Sequence, residues 1–504
     1  MNKQKVRASG VLMHISSLPG ETGIGTLGKH AYAFVDFLKA SGQTYWQILP
    51  ICPTGFGNSP YQSYSSFAGN PFFIDFELVS RAGFLKKEDY ENVFWGENQS
   101  RVDFNLVESG RNLLFEKMYK NFFQSVPEDF ERFCRKNAHW LDDYALFMAV
   151  KDAHGGASFD TWEDSIRCRR KAALPLWREK CADRIMYHKM LQYFFFKQWT
   201  ALKKYANAKG IYIIGDLPIY VSADSADVWS HPEQFALGAD YKPTEVAGCP
   251  PDAFSEDGQL WGNPVYNWRY MRRDKYRFWI KRLKMSLCIY DVVRIDHFRG
   301  FDSYYCIPYG AKTAKDGVWR KGPGMHLFNA VKKAIGDVPI IAEDLGFLTD
   351  SVKKLLSDSG FPGMKVLQFA FDSHEESDYM PHRYTQNSVV YTGTHDNDTV
   401  LGWVRGASGE TVERAMRYLD AKAPDKLREK MMIAAMSSVS DTCILTMQDL
   451  IGLGSEARMN TPSTLGENWK WRAVAEQFNS AASGFLMYYT QLYHRMNPKK
   501  GEEN

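Results

Sequence analysis

Eight short apolar runs, each closed by Gly, Pro or Asp, recur along the chain at 10–16, 45–50, 211–217, 292–297, 340–345, 365–371, 388–394 and 443–449. Each has the length of a strand and the composition of buried β-structure. Helical patterns lie between most of them: 31–40 precedes the second run, 277–287 the fourth, 326–335 the fifth, 351–359 the sixth, and 410–419 with 425–437 the eighth. Strands alternating with helices build a parallel sheet, and a count of eight predicts an α/β fold closed into a (β/α)8 TIM barrel. A doubly wound open sheet is the alternative.

The spacing of the runs locates the insertions. About 30 residues separate the first two runs, but about 160 separate the second from the third, far more than one βα connection requires. The first part of the barrel is therefore expected over 1–71, an inserted and mainly helical subdomain over 72–205, and the rest of the barrel over 206–504. Amphipathic patterns at 111–123, 140–154 and 183–205 supply the helices of the insertion. A second stretch, 218–275, is rich in Gly, Pro and Asp and reads as a loop-rich lid.

Three of the runs end on acids: Val293-Arg294-Ile295-Asp296-His297, Ile340-Ile341-Ala342-Glu343-Asp344 and Tyr391-Thr392-Gly393-Thr394-His395-Asp396-Asn397. Barrel enzymes place their chemistry at the carboxyl ends of strands, which is where these acids fall. Like charges resist joint ionisation, so a fold that gathers carboxylates at one mouth separates their pKa values. Two carboxyls in opposite protonation states can break a glycosidic bond. In Arg294-Ile295-Asp296 the two-residue period puts guanidinium and carboxylate on one face, favouring the ionised acid that a nucleophile needs. Standing alone, that motif would read better as a buried ion pair. Glu343 emerges from an apolar run that raises a carboxyl pKa, as a general acid requires. Asp344 points to the other face and reads as a cap or structural hydrogen-bonding group. Asp216, ending the third run, suits a sugar hydroxyl or a structural role equally.

Composition excludes several other classes. A net charge of +3 without a basic block implies no nucleic-acid partner. Eight cysteines without a Cys-x-x-Cys pair imply neither a zinc site nor a disulfide framework. The apolar run near the start is too short for a signal h-region, and no stretch is long enough to span a bilayer, so the expectation is a cytoplasmic protein without a membrane partner. His395-Asp396 can bind metal, but without a His-x-His on the first strand or acids at helix-turn spacing, no metal is expected. Gly23-Ile24-Gly25-Thr26-Leu27-Gly28 matches the dinucleotide pattern letter for letter. Its context fails, because a loop rather than a strand precedes it and no ribose-binding acid ends the second strand. No cofactor is implied. Aromatic residues make up 14% of the chain, enough to line a sugar groove as well as the core.

Arg294-Ile295-Asp296-His297-Phe298-Arg299-Gly300, Ala342-Glu343-Asp344-Leu345-Gly346 and Gly393-Thr394-His395-Asp396-Asn397 resemble signature segments of the α-amylase superfamily. Flanking segments narrow the resemblance to its 4-alpha-glucanotransferase family (amylomaltases or disproportionating enzymes, glycoside hydrolase family 77). They are Asn58-Ser59-Pro60-Tyr61, Gly215-Asp216-Leu217-Pro218, Gly248-Cys249-Pro250-Pro251-Asp252-Ala253-Phe254-Ser255, Gly258-Gln259-Leu260-Trp261-Gly262-Asn263-Pro264 and Asn460-Thr461-Pro462. The resemblance implies Asp296 as nucleophile, Glu343 as general acid and then base, and Asp396 as stabiliser of the oxocarbenium-like transition state. The substrate-binding set it implies is Tyr61, Asp216, Asp252, Trp261, Asn263, Arg294, His297 and His395, with 248–255 as a lid over the donor. Cys249 and Ala253 depart from the family pattern within that lid. The implied substrates are α-1,4-glucans as donor and acceptor, with glucose as a further acceptor. The implied reaction is retaining transfer, whose two carboxyls lie roughly 5 to 5.5 Å apart. An α-amylase-type hydrolase would use the same three acids, and a non-catalytic glucan-binding protein would have no need of them.

Overall fold

The computed structural model describes residues 7–251, 256–346, 348–372 and 377–496. Its centre is a closed barrel of eight parallel strands: β1 (Ala8–Leu12), β2 (Tyr45–Gln47), β3 (Tyr212–Leu217), β4 (Val292–Ile295), β5 (Ile340–Ala342), β6 (Gly363–Val366), β7 (Ser388–Tyr391) and β8 (Thr442–Thr446). Each strand pairs with its sequence neighbour, and β1 closes the ring on β8 with Ala8 opposite Thr442 and Leu12 opposite Thr446. Every residue of β1 and β7 is buried, as strands covered on both faces require. The barrel is thus the TIM barrel that the alternating pattern predicts, not the open sheet.

The connections bury apolar stripes against the strands. Helix α1 (Lys29–Ala40) buries Ala31, Phe34, Val35, Phe37 and Leu38, an i, i+3, i+4, i+7 face that packs on Trp46 of β2. Between β2 and β3 lie α2 (Phe104–Phe122), α3 (Phe130–Ala153) and α4 (Ala182–Ala208), held together by aromatic edges such as Phe122 to Phe130 at 5.0 Å and Phe130 to Tyr193 at 5.5 Å. Their apolar core runs without a break into that of the barrel. The Trp199 indole of α4 donates to the Ile289 carbonyl at 3.1 Å, and the Gln192 amide exchanges two 2.8 Å bonds with the backbone of Gly69. The first bond ties the insertion to the helix that precedes β4, and the other two tie it to the segment after β2. Among the described residues no helix is long and apolar enough to cross a membrane.

Three local readings differ from the sequence expectation. The run at 365–371 is β6 only to Val366, after which Leu367–Ala370 form a 3-10 turn that buries Leu367, Gln368 and Ala370. The run at 443–449 ends as a strand at Thr446, whose hydroxyl caps the helix Met447–Ile451 by accepting the Asp449 N–H. The loop-rich stretch 218–275 also carries two strands that the expectation lacked, Glu245–Cys249 and Gln259–Pro264, in a four-stranded antiparallel sheet completed by Ser303–Pro308 and Val318–Lys321. Their Gly and Pro content hid them, and half of their partners lie beyond β4 in sequence.

The Gly23 to Gly28 segment leads from a loop into α1, and its glycines serve packing. A Cβ on Gly25 would lie 1.8 Å from the Ile15 carbonyl, and one on Gly28 would lie 1.9 Å from the Asp75 carboxylate. No strand runs into the turn, so the pattern is not a dinucleotide cradle.

Candidate active site

The carboxyl mouth of the barrel holds the acids that the strand ends deliver. From β3, Asp216 Oδ2 accepts from Arg294 Nη1 at 2.6 Å and from the Tyr61 hydroxyl at 2.7 Å, with the Arg294 and Asp216 side chains 4% and 1% exposed. From β4, Arg294 turns its other nitrogen, Nη2, to Asp296 Oδ1 at 3.1 Å. One guanidinium therefore bridges two acids, and its Nε meets Met364 Sδ at 3.3 Å. Asp296 is 28% exposed at the side chain and lines the cleft.

Directly after Asp296 the chain takes a left-handed conformation at His297, with φ 52°. A non-glycine residue there is uncommon and marks an imposed local geometry. It brings the His297 N–H to Glu343 Oε2 at 2.6 Å, while the Leu345 N–H reaches Glu343 Oε1 at 2.8 Å. Both Glu343 oxygens are thus fixed, one of them by the peptide unit that Asp296 shares. Asp344 faces away and accepts the Met364 N–H at 2.6 Å, a structural role.

Beyond β7, Thr394 donates through both N–H and Oγ1 to Asn397 Oδ1, at 2.9 and 3.0 Å, tightening the turn that presents His395 and Asp396. His395 Nε2 lies 3.4 Å from Asp396 Oδ1, and its ring stacks on Tyr61 at 5.2 Å and 15°. Tyr61 thereby touches both halves of the mouth, bonded to Asp216 and stacked on His395.

Burial pushes both Asp296 and Glu343 above the usual carboxylate range, and Arg294 opposes it at each. Arg294 pairs directly with Asp296, whereas the His297 and Leu345 N–H groups are what oppose burial locally at Glu343. Burial lowers His395 and takes His297 down to about 3, the latter helped by Arg299, so both rings are neutral donors or acceptors at physiological pH.

A cleft of about 630 Å³ is lined by Asp296, His395, Asp396, Tyr61, Trp261 and Asn263 among others. Trp261 meets the His297 ring edge-on at 4.9 Å and ties its indole N–H to Gln259 Oε1 at 3.0 Å. Gln62 Nε2 joins the Trp261 carbonyl to Asn263 Oδ1, both at 3.2 Å. Asp252 and Ala253 lie outside the described residues. The other sequence-derived candidates converge on this one mouth. Sequence reasoning assigned no role to Trp469, 5.9 Å from Tyr61 and 6.0 Å from His395, or to Arg458 and Asn460, which bond to the Asp396 turn. The segment Asn460-Thr461-Pro462 was the signal for the last of these.

A closed parallel barrel that carries a carboxylate trio and an aromatic-walled cleft at its carboxyl mouth defines a class: barrel enzymes acting on glycosidic bonds. The family model described as 4-alpha-glucanotransferase matches residues 13–476. The chain belongs to that family. It is 50% identical to a 4-alpha-glucanotransferase of Streptococcus pneumoniae over 98% of both chains, and 46% identical to one of Thermus thermophilus over 97% of this chain and 99% of the relative. Among solved structures, amylomaltase from Streptococcus agalactiae in complex with acarbose superposes with a TM-score of 0.95 at 44% identity, over 97% of this chain and 100% of that one.

Proposed function

We propose that this chain transfers a segment of an α-1,4-glucan to the 4-hydroxyl of another glucan, or of glucose, by two displacements at one anomeric carbon. The observation that carries this reading is the shared peptide unit: Glu343 binds the amide that follows Asp296, while Arg294 pairs with Asp296 on its other side. Such an arrangement sets an ionised carboxylate and a protonated one about a single bond.

In the first displacement Asp296 attacks the anomeric carbon. The bond to the leaving oxygen breaks, and Glu343 gives that oxygen its proton. The product is a β-linked glycosyl ester of Asp296 and a shortened glucan. In the second, Glu343 takes the proton of the acceptor 4-hydroxyl, whose oxygen attacks the same carbon and releases the Asp296 carboxylate. Two inversions leave an α linkage. Asp396 supports the positive charge that develops on the ring in each transition state. Arg294 favours the ionised form of Asp296, Asp216 and Tyr61 hold Arg294, and His297, His395, Trp261 and Asn263 contact the sugar. Aromatic walls at Tyr61, Trp261 and Trp469 favour a sugar ring over water at the ester. Cys168, Cys181, Cys306 and Cys443 are buried as thiols, which supports a reducing, cytoplasmic location.

The test is to incubate the protein with maltotriose and resolve the products. Transfer gives a ladder of longer and shorter chains. Shortening alone, with rising reducing ends, means hydrolysis and defeats the proposal.

A further inference from the structure

Asp396 is fastened from outside its own strand. Its side chain is 44% exposed against 28% for Asp296, and within its own turn it has only the Thr394 hydroxyl on its N–H at 3.3 Å and the 3.4 Å approach of His395. The firmer bonds come from the segment after β8. Asn460 Nδ2 donates to Asp396 Oδ1 at 2.6 Å, Arg458 Nη2 donates to the Asp396 carbonyl at 2.6 Å, and the Asn460 N–H donates to the His395 carbonyl at 3.0 Å. Arg458 Nε closes the arrangement on the Asn460 carbonyl at 2.8 Å. Three bonds thus cross from 458–460 to 395–396, and the same segment continues through Pro462 to Trp469 as a wall of the cleft.

An exposed carboxylate can rock about its last torsion, and a rocking charge stabilises a transition state poorly because the protein must reorganise at the moment of reaction. The Asn460 amide fixes Oδ1 and leaves Oδ2 to face the sugar. Arg458 fixes the backbone beneath it. We propose that Asn460 and Arg458 are positioning residues for Asp396, holding its carboxylate in the orientation the transition state needs. This rests on the role given to Asp396 above. The two positions differ in one useful way: Asn460 lines the substrate cleft, whereas Arg458 lines a separate small cavity behind the turn with His14, Thr394 and Gln448. Arg458 therefore acts without touching substrate.

The experiment compares the maltotriose kinetics of Arg458→Ala, Arg458→Lys, Asn460→Ala and Asn460→Asp with those of Asp396→Asn. An interaction used only in the transition state is expected to lower kcat about tenfold with KM within about twofold in both alanine variants. Arg458→Lys, which keeps a cationic donor but not the fork that reaches both carbonyls, recovers part of the loss. Asn460→Asp, isosteric but an acceptor beside a carboxylate, falls below Asn460→Ala. Wild-type kcat in both alanine variants, with Asp396→Asn inactive, overturns this inference alone. A raised KM at unchanged kcat in Asn460→Ala makes Asn460 a substrate contact and also overturns it. An active Asp396→Asn defeats the functional reading itself. If Arg458→Ala loses its cooperative thermal transition, the two Asn460 variants decide the question.

Discussion

The Glu343 carboxylate accepts the backbone N–H of His297 at 2.6 Å, and His297 is the residue immediately after Asp296. This relationship couples the proposed proton donor and the proposed nucleophile through one peptide unit. It depends on the left-handed turn at His297.

Removing the nucleophile should remove the reaction. Asp296→Asn is expected to lower kcat for transfer by at least about 10⁴-fold, as loss of a covalent nucleophile does in enzymes whose groups act as a unit. Its thermal transition should be retained, since Asp296 is the partly exposed partner of Arg294. A glucan-binding platform without chemistry would show no change.

Removing the proton donor should spare a donor substrate that needs no proton. Glu343→Gln is expected to lose transfer from maltotriose but still to accept the glycosyl group of an α-maltotriosyl fluoride, because fluoride departs unprotonated. Stopped-flow measurement of fluoride release checks this. Equal losses on both donors would deny Glu343 the acid role.

The raised Glu343 pKa has consequences for rate and for stability. Burial holds its proton above the ordinary value of 4.5, so the alkaline limb of kcat/KM on maltotriose should lie above that value and vanish in Glu343→Gln assayed on the fluoride. A carboxyl whose folded pKa is raised adds stability that is present below its unfolded pKa and lost as pH rises through the folded one. The melting temperature of the wild type should therefore fall relative to that of Glu343→Gln as pH climbs from about 4.5 upward. Parallel curves for the two proteins would contradict the assignment.

Tyr61 is expected to contribute to stability as well as to the site. Its hydroxyl bonds to an Asp216 oxygen on a side chain 1% exposed, and the other Asp216 oxygen has no partner among the described residues. Tyr61→Phe should cost about 1.5–3 kcal/mol of stability, the range for a hydrogen bond to a charged group. Denaturant unfolding would show it as a lower midpoint at unchanged slope.

Much of this was legible in the sequence, for identifiable reasons. The barrel strands are continuous apolar runs ending on chemistry-bearing residues, and a parallel strand buried on both faces writes itself that way. Arg294 and Asp296 were placed together by the two-residue period of β4. Runs such as 365–371 misled because an apolar 3-10 turn and a buried strand have the same composition. The sheet of Glu245–Cys249, Gln259–Pro264, Ser303–Pro308 and Val318–Lys321 was hidden because its pairing is antiparallel and its strands come from both sides of β4. Arg458, Asn460 and Trp469 escaped assignment because their bonds and contacts reach Asp396, His395 and Tyr61 across long loops, where no local period exists to be read.

The most direct test of the account is to mix Glu343→Gln with α-maltotriosyl fluoride, quench in acid and measure the mass of the protein and its peptides. A maltotriosyl adduct on the peptide containing Asp296 is predicted, discharged when azide, which attacks without losing a proton, is added. No adduct, or one on a different acid, would contradict the assignment of Asp296 as the residue that carries the glucan between its two partners.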